Sequence, residues 1–118
     1  METSPSQVAG EPVYGRPAYV CPDFHEAVEL IGKRWAGAII WALAEHPHYF
    51  AELCQAVPGM SDRLLSRRLR ELEAEGLVER EVEAGVPPRV RYTLTAKGRE
   101  LEPAIREIGA WARRWNHS

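Results

Sequence analysis

Arg63, Arg67 and Arg70 recur at spacings of four and three, with Leu64, Leu65, Leu69 and Leu72 set among them. At about 100° per residue the leucines gather on one side of a helix. Arg63, Ser66, Arg67 and Arg70 then fall on the opposite side. The chemistry open to such a face is anion recognition. A guanidinium fork matches a phosphate, or the O6 and N7 of guanine, so these residues can specify a sequence or only position a backbone. Ser61 stands just before the stretch as an N-cap able to accept from a backbone N–H, and its hydroxyl and that of Ser66 can also bond phosphate or a base edge. Arg68 lies nearer the leucine side and is expected to pair with an acid. The same pattern also fits an amphipathic helix whose arginines are simply solvated.

A second kind of chemistry belongs to Cys21. Cys21-Pro22-Asp23-Phe24 reads as a helix start, with proline in the first turn and Asp23 complementing the dipole. A helix N-terminus favours thiolate, the reactive form of cysteine. The alternative is a capping or packed thiol. Cys54, beside Leu53 and Val57, is expected to be inert core. Cys21 and His25 are spaced four apart, and His46 and His48 follow at a distance; a metal sensor or a Cys–His nucleophile would need them to converge. No third orienting group or oxyanion site is evident for an enzyme, and the expectation is no catalytic residue, no metal site and no cofactor. Trp35, Trp41, Trp111 and Trp115 could line a ligand cavity or serve as packing.

These residues need elements to hold them. Phe50 to Ala56 forms a short helix, Pro58-Gly59-Met60 a tight turn, and Ser61 to Glu75 the arginine-faced helix; helix, turn and helix in this order form a helix-turn-helix. Gly76 stops it. Leu77 to Glu83 reads as a strand, Ala84 to Pro88 as a loop, and Arg89 to Thr95 as a second strand with Val90, Tyr92 and Leu94 on one face. The pair makes a β-hairpin wing from which Arg89 and Arg91 project, suited to phosphate contact. Upstream, Phe24, Ala27, Val28 and Ile31 mark an apolar stripe ended by Gly32. Lys33 to His46 is expected to be one central helix, stopped by Pro47. Thr95 caps a last helix in which Leu101, Ile105, Ile108, Ala112 and Trp115 are spaced 4, 3, 4, 3. That helix is longer than a small core requires. A dimer contact is expected between it, Trp111 included, and the helix carrying Phe24, Val28 and Ile31.

The bulk numbers set the frame. A chain of 118 residues is one domain's worth, and its net charge of -2 does not advertise nucleic-acid binding. The distribution does. From Arg63 to Arg70 every charge is positive; from Glu71 to Glu83 six acids face only Arg80; from Arg89 to Arg99 every charge is again positive. Two cysteines are too few for a disulfide scaffold. No apolar run approaches the roughly 18 residues of a membrane span, and no signal peptide is visible. The expectation is a soluble cytoplasmic protein. Residues 1–20, with Pro5, Pro12 and Pro17, are expected to be a flexible arm in which Tyr14 and Tyr19 can anchor to a partner; residues 21–118 are the domain.

Taken in order, several short stretches resemble the HxlR-type winged-helix transcriptional regulators of the MarR-like group. They are Cys21-Pro22, Ile31-Gly32-Lys33-Arg34-Trp35, Phe50-Ala51-Glu52-Leu53, Pro58-Gly59-Met60-Ser61, Gly76-Leu77-Val78-Glu79-Arg80, Val86-Pro87-Pro88-Arg89-Val90 and Tyr92-Thr93-Leu94-Thr95-Ala96-Lys97-Gly98. The resemblance implies an α+β, mostly α, winged helix-turn-helix with a two-stranded wing and terminal dimerisation helices. It implies a homodimeric regulator, expected to be a repressor, on a palindromic double-stranded operator. It also implies that a cysteine at position 21 can sense electrophiles, quinones or oxidants. The chain departs from the family at Glu83, where Tyr is frequent, and at Arg91, where Glu is frequent. Arg67 and Arg68 stand where neutral amides are common, so operator sequence does not transfer. Competing readings are a winged-helix protein-interaction module and a small-molecule or metal sensor without thiol chemistry.

Overall fold

A computed structural model of the chain describes residues 17–116. Its elements are α1 (Pro22–Ile31), α2 (Ala36–Glu45), β1 (His48–Tyr49), α3 (Phe50–Ala56), α4 (Asp62–Ala74), β2 (Val78–Glu83), β3 (Arg89–Leu94) and α5 (Ala96–Asn116). α2 is the central helix, with Ile39, Ile40 and Leu43 almost fully buried. Leu53 of α3, Leu65, Leu69 and Leu72 of α4, Val78, Tyr92 and Leu94 of the sheet and Ile105 of α5 close around it. Leu65, Leu69 and Leu72 of the arginine-rich stretch are therefore buried as their period required, while Leu64 is half-buried.

The helix ends follow local chemistry. Ser61 Oγ accepts from the Leu64 amide at 3.1 Å, the expected cap of α4. At the other end Gly76 takes φ +78°, a left-handed turn that favours glycine, and Lys97 Nζ donates to the exposed Glu75 carbonyl at 2.7 Å. Thr95 Oγ1 accepts from the Gly98 amide and donates to the Gly76 carbonyl, tying the start of α5 to the end of α4.

One expectation needs correction. The central helix begins at Ala36 rather than Lys33, because Gly32 ends α1 and residue 35 turns left-handed, with φ +79° at Trp35. Its indole is held under the Arg34 guanidinium at 4.9 Å and against the turn glycine, Gly59. The wing is two-stranded as expected, formed by β2 and β3, and a further short strand extends the sheet in the order β1-β3-β2. His48 pairs with Tyr92 and Tyr49 with Arg91. Two residues between a proline and a helix start carry no alternation, so β1 has no sequence signal.

α1 buries none of its residues, and α5, 21 residues long, buries only Gly98 and Ile105. Ile105 was expected at a dimer contact; the chain itself buries it, packed into the core with α2. Phe24, Val28, Ile108, Trp111 and Trp115 are exposed, while Ile31, Leu101 and Ala112 are half-buried. Among the described residues no helix is long and apolar enough to cross a membrane.

Candidate nucleic-acid interface

The arginines of α4 divide into two groups. Arg63, Arg67 and Arg70 are exposed, and none makes a hydrogen bond or ion pair with another described residue. Ser66 beside them is half-buried. Arg68, one residue further round, turns back onto the chain. Its Nε donates to the Arg34 carbonyl at 2.8 Å and its Nη1 meets Glu71 at 3.2 Å. Glu71 is also 3.6 Å from Lys33. The α1–α2 loop is thus clamped to α4 by two cations and one acid, and the acid expected for Arg68 is Glu71.

On the wing, Arg89 and Arg91 are held within the chain. The wing's register sets Glu81 opposite Arg91 and Glu83 opposite Arg89 on one face. Arg91 donates through both Nε and Nη2 to Glu81 Oε1, the shorter bond at 2.7 Å, and lies 3.7 Å from Glu83. The bonds to Glu81 raise its already high pKa. Arg89 lies over the Tyr49 ring at 3.6 Å. The Tyr49 hydroxyl donates to Glu83 at 2.8 Å, and that bond, first among the causes, raises its pKa. Both wing arginines expected to meet phosphate therefore have partners within the chain. Tyr49 was missed by the sequence reading; it enters the site only through β1.

Cys21 is exposed at the N-cap of α1 and makes no side-chain capping bond. Cys54 is half-buried rather than enclosed in the core. Its thiol donates to Asp62 Oδ1 at 3.2 Å, joining α3 to the first turn of α4. Burial, then the bond to Asp62, raises its pKa. His25 faces Glu29 at 3.9 Å. His46 and His48 stack with ring centroids 4.2 Å apart, and each Nδ1 donates to a backbone carbonyl. Among the described residues no group of three or more His, Cys, Asp or Glu is placed to hold a metal ion. The tryptophans do not share one cavity: Trp41 lines a groove with α5, Trp35 sits on the turn, and Trp111 and Trp115 are exposed.

A capped helix presenting unpaired arginines behind a glycine turn, followed by a two-stranded wing, defines a winged helix-turn-helix protein. The HxlR-like helix-turn-helix family pattern matches residues 30–118. The chain is 44% identical over 96 residues to the HTH-type transcriptional regulator YvaP of Bacillus subtilis, covering 81% of this chain and 89% of YvaP. It is 43% identical over 93 residues to the regulator YodB of the same organism, 79% of this chain and 83% of YodB. In three dimensions it is similar to the reduced form of YodB, with TM-score 0.73, 41% identity and coverage of 82% and 95%. YodB has also been solved diamide-treated (TM-score 0.70, 41% identity, coverage 83% and 97%) and quinone-bound (0.68, 38%, 81% and 100%). The reduced form of the redox regulator HypR matches at TM-score 0.75 and 36% identity over 78% of this chain and 91% of that one. The chain belongs to the HxlR-like helix-turn-helix family of transcriptional regulators.

Proposed function

We propose that two copies of this chain repress transcription from a palindromic operator, each inserting α4 into the major groove. The observation that carries this is the split among the α4 arginines: Arg68 is spent on the protein, while Arg63, Arg67 and Arg70 are left without a partner among the described residues. Ser61 and Ser66 flank them, and Arg89 and Arg91 of the wing approach the backbone. Two such helices read half-sites roughly 34 Å apart, one turn of DNA. The exposed faces of α1 and α5, with Phe24, Val28, Ile108, Trp111 and Trp115, supply the dimer contact; Ile31, Leu101 and Ala112 border it.

The signal enters at Cys21. YodB in its diamide-treated and quinone-bound forms and the redox regulator HypR motivate this reading. Cys21 is exposed at the start of α1, and the loop that ends α1 is clamped to α4 through Arg68, Lys33 and Glu71. A modified thiol that displaced α1 would shift one recognition helix against the other and spoil the half-site spacing. The test is mobility shift on the chain's own upstream DNA with and without diamide. The parent should bind selectively and release on oxidation, and Cys21→Ser should bind without releasing. Unselective binding sinks the operator reading; release by Cys21→Ser sinks the thiol reading. A second reading, in which a noncovalent ligand drives release, is favoured by the cavity between α2 and α5.

A further inference from the structure

We propose that Asp62 reads sequence: its carboxylate, held by the Cys54 thiol, accepts from the N4 amino group of a cytosine in each half-site. The proposal deepens the operator reading above and rests on it.

An acid is out of place on a surface that attracts phosphate, because the DNA backbone repels it. Asp62 is nonetheless the first residue of α4, and it is exposed beside Arg63. In a helix-turn-helix the N-terminal residues of the recognition helix are those that meet base edges. An acid in the first turn also complements the helix dipole. That effect needs no fixed direction, and Ser61 already supplies the cap. The Asp62 carboxylate does have a fixed direction. From α3 the Cys54 thiol donates to its Oδ1 at 3.2 Å. Nothing neutralises it. The residues that stand beside it on the helix, three and four places on, are Leu65 and Ser66, and neither is a cation. No described residue forms an ion pair with it, and the thiol is its one side-chain partner among them. A carboxylate offers about four acceptor sites, so most of them stay open to a donor from the groove.

The bases then sort by what they present. In the major groove only cytosine N4 and adenine N6 donate. Adenine sets its N7 acceptor next to that amino group, which suits an amide with one donor and one acceptor and repels the second oxygen of a carboxylate. Cytosine presents the amino group with no acceptor of its own. Guanine and thymine meet the carboxylate with O6, N7 or O4. Cytosine is therefore the base that Asp62 accepts. The guanine paired with it offers O6 and N7 to a guanidinium, the chemistry that exposed Arg63, the next residue, supplies. Cys54 is the positioning residue: it touches no base, and it holds the carboxylate that does.

The test is selection by the full chain from a randomised duplex library, followed by sequencing of the bound fraction. The parent should enrich a two-fold symmetric motif with one such cytosine in each half. Asp62→Asn, which keeps an acceptor for the thiol, should move the preference at that position alone from cytosine to adenine. Asp62→Ala should accept any base there and leave the other positions as they were. In anisotropy titrations on the enriched duplex, exchanging that C·G pair for T·A in one half should cost the parent about tenfold in affinity and Asp62→Ala less than about twofold. Cys54→Ala should shrink the parent's discrimination at that position severalfold, and Cys54→Ser, which restores a donor to Oδ1, should recover it. A purely structural Cys54 would change affinity for all duplexes alike. The proposal is overturned if Asp62→Asn and Asp62→Ala enrich the parent's motif unchanged. It is also overturned if Asp62→Ala tightens binding to every duplex equally, which would make the carboxylate a general repeller of phosphate. In both cases the operator reading stands. Discrimination unchanged in Cys54→Ala overturns the part given to the thiol. A parent that enriches no motif removes the operator reading, and this proposal with it.

Discussion

The arginines of α4 and those of the wing should behave oppositely when salt is varied. Each phosphate contact adds about 0.9 to the slope of log affinity against log salt on B-DNA. In the proposed dimer, Arg67→Ala or Arg70→Ala removes one contact per copy, so the slope should flatten by about 1.8. Over a fourfold change, from about 50 to about 200 mM salt, the parent should lose about 12-fold more affinity than the variant. If the lost contact is to a base, the slope holds and discrimination against a scrambled site falls instead, by about 1–3 kcal/mol. Arg91 differs because Glu81 takes two of its donors and Glu83 stands 3.7 Å away. An exposed pair is worth only about 0–1 kcal/mol, so a phosphate can draw Arg91 off. The two carboxylates then remain beside that phosphate, and the net gain is small. Arg91→Ala should change the slope by less than about 0.5, while Glu81→Gln with Glu83→Gln should steepen it towards about 1.8 more than the parent. Fluorescence anisotropy titrations at several salt concentrations read all of these. The reasoning is refuted if Arg67→Ala and Arg70→Ala alter neither slope nor discrimination, or if Arg91→Ala flattens the slope as much as they do.

Four further outcomes can be checked directly. Iodoacetamide should label exposed Cys21 before half-buried Cys54, read by mass spectrometry of peptides, and Asp62→Asn should speed labelling of Cys54 by removing the negative charge that helps hold its proton. Since the folded thiol titrates above the unfolded one, its share of stability is complete below the unfolded pKa and is lost as pH rises through the folded value; melting curves should show an alkaline decline that Cys54→Ala reduces. Leu69→Ala, at a side chain only 1% exposed, should cost about 2–5 kcal/mol in urea unfolding, whereas Arg63→Ala on the opposite face should stay within about 0.5 kcal/mol. Ile108→Glu with Trp111→Glu, both more than half exposed, should yield a folded monomer by sedimentation; an unchanged dimer would place the contact elsewhere.

Legibility followed the length and regularity of each pattern. α4 was readable because leucines and arginines alternate with the helical period over 13 residues and Ser61 marks the start. The wing strands were readable because Val90, Tyr92 and Leu94 alternate. β1 was not, because strand periodicity needs more than the pair His48–Tyr49. The late start of α2 was hidden because Trp35 is an ordinary helix residue by propensity; what turns it left-handed is packing against Arg34 and a glycine 24 positions away. The pairing of Glu81 and Glu83 with Arg91 depends on strand register, which the loop from Ala84 to Pro88 sets and composition does not. Ile105 fits the outward seam by spacing, yet where α5 crosses α2 the same face is covered by its own chain.

A net charge of -2 and a DNA-facing surface are compatible because the acids are distributed unevenly. Glu71 holds Arg68 and Lys33, Glu45 and Glu102 hold Arg106, and Glu81 and Glu83 hold Arg91. Each of these acids cancels a cation that fastens one element to another. Arg63, Arg67 and Arg70, which have no such partner among the described residues, keep their attraction for an anion. A uniformly basic protein of this size would be held by any duplex in any orientation. Here the α4 face presents three exposed arginines with no partner among the described residues, while Arg68, Arg91 and Arg106 are held by acids of the chain. In the proposed complex, attraction concentrated on that face would select orientation before a base is read, favouring an operator over the excess of nonspecific DNA.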